Sequence, residues 1–171
     1  MKKTEKLVPY EVYGPFEVEI DDRKVVTAKE RLKEWWRKET PRGLSSRKGC
    51  YVFAMRASKG FTPIYVGKTS KQTHEKEVFN ANNVANMNEV LGKRMGTLVL
   101  YLVSTKPADA RSYHIDEIET WLIQQALKKN PHLVNIQKAK DWCIPGVASS
   151  KGKRSPAAEK LAITLGLKKR K

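Results

Sequence analysis

Glu119 is the residue whose type and position point most directly to chemistry. Apolar residues recur at helical spacing over residues 113–129, and Glu119 lies within their stripe. Measured from Ile115 at about 100° per residue, Glu119 falls at about 40°. Leu122 at about 340° and Ile123 at about 80° flank it on the same face. A carboxylate there must be paired, protonated or bound to a cation. The pattern leaves open a salt bridge to a lysine or arginine at the edge of the core, or a metal ligand.

Three strands are predicted ahead of this helix. Residues 50–55 are rich in β-forming side chains, and residues 63–66 begin a second strand that Gly67 ends. The pair has the spacing of a hairpin with a loop longer than a tight turn. The apolar run over residues 97–103 is typical of a central strand. Residues 70–96 are polar and mixed, and we expect one or two short helices there.

The first 46 residues predict a short extension ahead of these strands. Residues 10–20 partly alternate apolar and acidic side chains, which indicates one or two short strands. Thr27 and Glu30 have capping-box spacing, which predicts a helix that runs to about Glu39 and stops before Pro41. Leu32, Trp35 and Trp36 give this helix an apolar face, and the two tryptophans give room for an interface with a partner protein.

Net charge indicates a polyanionic partner. The 171 residues carry a net charge of +16, and residues 138–171 hold ten basic and two acidic side chains. Such an excess attracts nucleic acid through phosphate contacts. Within this C-terminal arm, Lys151, Lys153 and Arg154 lie in a Ser- and Gly-containing link, which predicts an electrostatic arm for nucleic acid. A solvated tail that only aids solubility is the alternative.

Several classes of protein are disfavoured. Two cysteines, Cys50 and Cys143, provide neither a disulfide framework nor zinc-binding spacing. No apolar stretch approaches the roughly 20 residues of a membrane span. The charged start is followed by Pro9 and Glu11, unlike a signal peptide. We therefore expect a cytoplasmic protein with no membrane partner.

Three motifs in order resemble the GIY-YIG nuclease superfamily. The first is Gly49-Cys50-Tyr51, the second is Tyr65-Val66-Gly67-Lys68-Thr69, and the third is Glu119 within its helix, followed by Asn130-Pro131 and Asn135. The resemblance covers residues 47–137. It implies an α+β fold with a small three-stranded antiparallel sheet flanked by helices. It also implies hydrolysis of phosphodiester bonds with one divalent metal.

The resemblance also implies roles for individual residues. Tyr51 and Tyr65 would line the site and activate or orient the attacking water, and Glu119 would bind the metal. A single carboxylate with water ligands suits Mg²⁺, or Mn²⁺ in its place. Gly67 would let the chain pass close to the site, and Asn135 closes the motif. A phenol needs neighbouring cations to lower its pKa before it can serve as a base, and Lys68 could supply that charge or hold a phosphate.

One departure from the family pattern concerns phosphate binding. The family usually places an arginine about eight residues after the motif glycine, where this chain has Glu75. Lys71, Lys76 or Arg94 could replace that arginine, with poorer geometry in the case of lysine. His74 and His114 are further candidates for proton transfer, and His74 is also a candidate for nucleic-acid binding. The region around Glu75, with the tail pattern Trp142-x-Ile144-x-Gly146-Val147, resembles an uncharacterised bacterial branch of the superfamily.

Together these features predict an N-terminal extension over residues 1–46, a nuclease domain over 47–137 and a basic arm over 138–171. The predicted function is a metal-dependent endonuclease that acts on DNA rather than RNA. Two alternatives remain open. One is a weak or inactive nuclease fold that binds nucleic acid without cutting it. The other is a nuclease subunit that is active only within a defence or repair complex. A protein partner or a homodimer is compatible with each reading.

Overall fold

The computed structural model describes residues 10–22, 26, 29–58, 60–105 and 112–134. They belong to the first of two compact units, Met1–Ile136. The predicted basic arm, with Lys151, Lys153 and Arg154, lies outside the described residues, as does Asn135. The described elements in chain order are β1 (Tyr10–Glu17), α1 (Lys29–Glu39), β2 (Gly49–Ala57), β3 (Gly60–Thr69), α2 (His74–Glu77), α3 (Ala81–Lys93), β4 (Thr97–Thr105) and α4 (Ser112–Lys129).

The fold is α+β, as predicted, but the antiparallel sheet has four strands in the order β1-β4-β2-β3. The expectation of three strands is therefore wrong. The strand predicted in the N-terminal segment pairs with β4, from Tyr10 opposite Thr105 to Glu17 opposite Val99. The reason is that β4 is apolar from Leu98 to Val103, so both of its edges are buried and need hydrogen-bond partners.

The hairpin of β2 and β3 sets the register of the site. Tyr51 pairs with Gly67, and Phe53 pairs with Tyr65. Directly opposed residues in an antiparallel pair project to the same face, so these four positions share one face. The ladder extends to Ala57 opposite Gly60, so the connection is shorter than the sequence predicted.

Helices cover both faces of the sheet. On one face, a large core joins α1 and α3 to the sheet, with Trp36, Tyr51, Phe53, Met87 and Leu100 all buried. On the other face, α4 packs against β2 and β3, where Ile123 and Ala126 contact Val66 and Val52. Since β3 is an edge strand, groups from both faces can meet at its border.

Within the described residues the predicted helices are confirmed, including two between residues 70 and 96. Thr27, the predicted cap of α1, lies outside the described residues. In α1, Trp35 and Trp36 are 4% and 5% exposed, and Trp35 Nε1 donates a hydrogen bond to the Glu17 carbonyl at 2.6 Å. The two tryptophans are therefore core residues. This corrects the expectation that they offer an interface to a partner. None of the helices that the structure describes has the length and apolar character needed to span a bilayer.

Candidate active site

A cavity of about 300 Å³ lies where β3 ends, and α2 and α4 border it. Six of the residues that line the cavity are ones that the sequence predicted for the site. The residues that line it are Tyr51, Tyr65, Gly67, Lys68, Thr69, Ser70, Lys71, Gln72, Glu77 and Glu119. The strand register brings the tyrosines and the glycine together, and α4 adds the glutamate from the other side of the edge strand.

The two tyrosines stack with ring centroids 6.1 Å apart and 22° between their planes. Tyr51 is only 2% exposed, and its hydroxyl oxygen accepts a hydrogen bond from Asn83 Nδ2 at 2.7 Å. Burial first, and then the neighbouring Tyr65, raise the pKa of Tyr51 far above its usual range. Burial also raises the pKa of Tyr65, with Glu119 and Glu77 adding to the effect and a hydrogen bond from Tyr51 opposing it. Burial therefore favours the neutral form of both phenols.

Gly67 is explained by its contact with Tyr51. A Cβ atom built on Gly67 would collide with the Tyr51 ring and hydroxyl, with Cε2 only 2.8 Å away. A side chain at this position would therefore push the tyrosine out of place. Gly49, the first glycine of the motifs, has φ of +153° and would bring a Cβ to 2.9 Å from Ser104 Cα. Both motif glycines thus permit close packing within the sheet.

Glu119 is a buried carboxylate with a cation beside it. Glu119 is 7% exposed, and Lys68 Nζ lies 3.5 Å from Glu119 Oε2. Lys68 also forms an ion pair with Asp116, one turn earlier on α4. The structure therefore confirms the salt-bridge interpretation of Glu119, with Lys68 as the partner.

The donor set also fits a hydrated Mg²⁺ or Mn²⁺. Glu119 offers one buried carboxylate on the cavity, and water can fill the other positions, as Mg²⁺ prefers. Among the described residues, no group of three or more His, Cys, Asp or Glu side chains forms a fuller metal site. Lys68 and Lys71 provide the positive charge at the cavity that a phosphate would contact.

Three of the predicted site residues lie away from this cavity. Lys76 is exposed on α2 and does not line it. Arg94 caps the C-terminus of α3, roughly 16 Å along the helix from Asn83. His74 is fully buried, so it has no surface with which to contact nucleic acid. These positions correct the expectation that Lys76 or Arg94 replaces the family's arginine and that His74 binds a phosphate.

His74 instead joins β3 to β4. Its Nδ1 lies 3.1 Å from Thr69 Oγ1 and its Nε2 lies 2.7 Å from Ser104 Oγ. The same Thr69 oxygen accepts a hydrogen bond from the Gly49 backbone N–H at 2.9 Å. Burial lowers the pKa of His74 to about 4, with the charge of Arg47 acting in the same direction. His114, the other candidate histidine, lies 3.6 Å from Glu117 near the start of α4 and not at the cavity.

Sequence reasoning missed two residues of the site, Glu77 and Asn83. Glu77 lines the cavity, and its Oε1 accepts a hydrogen bond from Asn80 Nδ2 at 3.0 Å. Asn83 is 3% exposed and donates to the Tyr51 hydroxyl. The sequence contains a weak indication of Glu77, because it is three residues after His74, a candidate residue, and so shares its helix face. Asn83 is one of several asparagines in the region, and nothing in the sequence distinguishes it.

Comparison with protein-family models, with curated proteins and with solved structures finds no match to this chain. The inference of function therefore depends on the residues of the cavity.

Proposed function

We propose that this protein is a metal-dependent endonuclease of the GIY-YIG type that hydrolyses phosphodiester bonds in DNA. The observation that supports the proposal most is the convergence of two tyrosines, a glycine, two lysines and a glutamate on one cavity. All six are residues that the sequence predicts for the site. Their types match the needs of phosphodiester hydrolysis, which are a metal-binding carboxylate, hydroxyl groups and positive charge.

Each residue has a role that its surroundings support. Glu119 holds Mg²⁺ or Mn²⁺, and the metal supplies positive charge for the transition state when it is bound. The Tyr51 hydroxyl donates a hydrogen bond to Tyr65, and the Tyr65 phenol donates one that orients water or a phosphate oxygen at the cavity. Lys68 exchanges its carboxylate partners for a phosphate, and Lys71 contacts the strand at the exposed rim.

The experiment is a nicking and cleavage assay on plasmid and on single-stranded DNA and RNA with Mg²⁺ or Mn²⁺. Wild type and Glu119→Gln are compared, with Glu117→Gln as the matched control, since Glu117 is an exposed glutamate on the same helix. We expect cleavage by wild type and by the control, and none by Glu119→Gln. Equal cleavage by wild type and Glu119→Gln would exclude Glu119 as the metal ligand.

A nucleic-acid-binding module without catalysis is the second candidate. The observation in its favour is that no arginine lines the cavity among the described residues, while two glutamates do. An arginine would bind a phosphate by two parallel hydrogen bonds, which a lysine cannot reproduce. A shift in gel mobility with no cleavage by wild type under any metal condition would favour this candidate over the nuclease.

A further inference from the structure

We propose that Glu77 is the catalytic base that takes the proton from the attacking water. This inference rests on the proposed nuclease function and assigns a role to a residue outside the three sequence motifs. Glu77 lines the same cavity as Glu119, Tyr51 and Tyr65, at the C-terminal end of α2. A carboxylate is a suitable proton acceptor for a water molecule when it is held at the reacting position.

The tyrosines are poorly suited to this task. Tyr51 is 2% exposed, and its hydroxyl oxygen already accepts a hydrogen bond from Asn83. Burial raises the pKa of both phenols, which favours their neutral form. The cavity therefore needs another group to receive the proton, and the ammonium groups of Lys68 and Lys71 are hydrogen-bond donors only.

Glu77 is fixed in position by its neighbours on the same segment. Asn80 Nδ2 donates to its carboxylate at 3.0 Å, and Asn83 Nδ2 donates to its backbone carbonyl at 3.0 Å. A carboxylate can accept about four hydrogen bonds, so the bond from Asn80 leaves room for a water. Since Asn83 also donates to Tyr51, a single side chain sets the position of the base relative to the phenol.

The groups that face Glu77 across the cavity come from other elements. The charged and titratable ones are Tyr51, Tyr65, Lys68, Lys71 and Glu119. The charges of Glu77 and Glu119 both act on Tyr65, so its phenol lies within electrostatic range of both carboxylates. In this arrangement Glu119 binds the metal and Glu77 removes the proton from water. The positive charges of Lys68 and Lys71 offset the repulsion between the two carboxylates and the phosphate.

The proposed step balances as follows. A lone pair of the water oxygen forms the new P–O bond, and one water proton moves to the Glu77 carboxylate. The electron pair of the breaking P–O bond goes to the leaving sugar oxygen, which takes a proton from solvent water. The products are a phosphate-ended strand and a hydroxyl-ended strand, and Glu77 returns its proton to solvent.

The test compares Glu77→Gln with Glu75→Gln, since Glu75 is an exposed glutamate on the same short helix. We expect Glu77→Gln to lower kcat by about 10²- to 10⁴-fold, the range for loss of a general base. The KM for DNA, the Mg²⁺ concentration for half-maximal rate and the DNA affinity measured in EDTA should stay within threefold of wild type. Glu75→Gln should cleave as wild type does.

A second variant separates a catalytic role from a structural one. Glu77→Ala leaves space for a small carboxylate, so sodium formate should restore part of its kcat and should not restore Glu119→Ala. Cleavage by Glu77→Gln within threefold of wild type would overturn the role of Glu77 while the nuclease stands. Recovery of the Glu77→Gln rate at high Mg²⁺ would also overturn this role of Glu77. So would the absence of any effect of sodium formate on Glu77→Ala. If wild type itself fails to cleave, the proposed function falls and this inference falls with it.

Discussion

Gly67 and Tyr51 are the two residues of the site that depend most closely on each other. The ring of Tyr51 lies against the backbone of Gly67, in the space that a Cβ atom would fill. The glycine in the second motif is thus required by the tyrosine in the first. A residue-scale prediction follows from this contact.

Gly67→Ala should destabilise the protein by about 1–3 kcal/mol, the usual range for overpacking a well-packed core. The added methyl group would displace the Tyr51 ring and its hydrogen bond with Asn83. Chemical denaturation followed by tryptophan fluorescence measures this change. Gly92→Ala is the control, because Gly92 lies in α3 with open space around its Cβ position, and alanine favours a helix. A Gly67→Ala protein as stable as wild type would contradict the packing described.

The buried His74 gives a second residue-scale prediction, on pH. Its pKa is about 4 in the folded protein because burial disfavours the charged ring, against about 6.5 when unfolded. The unfolded state therefore binds more protons between these values. The stabilisation is present above pH 6.5 and is lost as pH falls toward 4, by about 3 kcal/mol in all.

Denaturant unfolding of wild type and His74→Gln between pH 7 and pH 4 tests this expectation. Glutamine can hydrogen-bond Thr69 and Ser104 but does not titrate, and the carboxylates and other histidines are common to both proteins. The difference in unfolding free energy between the two should shrink as pH falls. A difference that is independent of pH would show that His74 does not titrate as its burial requires.

The sequence predicted six of the residues that line the cavity, and for a physical reason. Glu119 stands out because a carboxylate inside an apolar stripe is costly, and the two tyrosines because their motifs, in order, resemble those of the nuclease superfamily. Glu77 lies in a helix of four residues, which is too short to show a periodic pattern. Lys76 was preferred for its charge alone, but charge does not determine which face of a helix meets the cavity.

At the scale of elements, α1 matters because it completes the core on one face of the sheet. Trp36 contacts Trp35 and Phe79 edge to face, with centroids 5.1 and 6.0 Å away. Trp36→Ala should destabilise the protein by about 3–5 kcal/mol, as expected for a buried tryptophan. Trp121→Ala is the matched control, since Trp121 is 58% exposed on α4, and its effect should stay within about 0.5 kcal/mol. Similar melting temperatures for the two variants would contradict the role given to α1.

The elements themselves were largely predictable, whereas the sheet was not. Helix α4 and strand β4 follow from periodicity and from an apolar run, which are local properties of the chain. The pairing of β1 with β4 joins residues about 90 positions apart, and local sequence does not encode such a contact. The acidic residues of β1 do not indicate that it joins the sheet, although edge strands often carry charge.

At the scale of the whole molecule, the positive charge is unevenly distributed along the sequence. The cavity holds two lysines and two glutamates, whereas residues 138–171 hold ten basic and two acidic side chains. We therefore expect the C-terminal arm to provide much of the affinity for nucleic acid and little of the chemistry.

Replacing Lys151, Lys153 and Arg154 together by Gln should reduce the slope of log affinity against log salt by roughly 2–3, since each phosphate contact contributes about 0.9. The same charge change at Lys33, Arg37 and Lys38, which are exposed on α1, is the control and should leave the slope nearly unchanged. Fluorescence anisotropy with labelled DNA over a range of salt measures both. Equal slopes in the two triple variants would contradict the assignment of binding to the arm.

The most direct test of the central claim is the rate of cleavage of an end-labelled DNA at saturating protein, measured with Mg²⁺ and with EDTA. The account predicts cleavage by wild type and by Glu117→Gln that requires the metal, and a loss of at least about 10²-fold in Glu119→Gln. Unchanged DNA affinity of Glu119→Gln in EDTA would assign that loss to the chemical step. Cleavage that persists in EDTA, or an equal rate in Glu119→Gln, would contradict the claim that the cavity is a metal-dependent nuclease site.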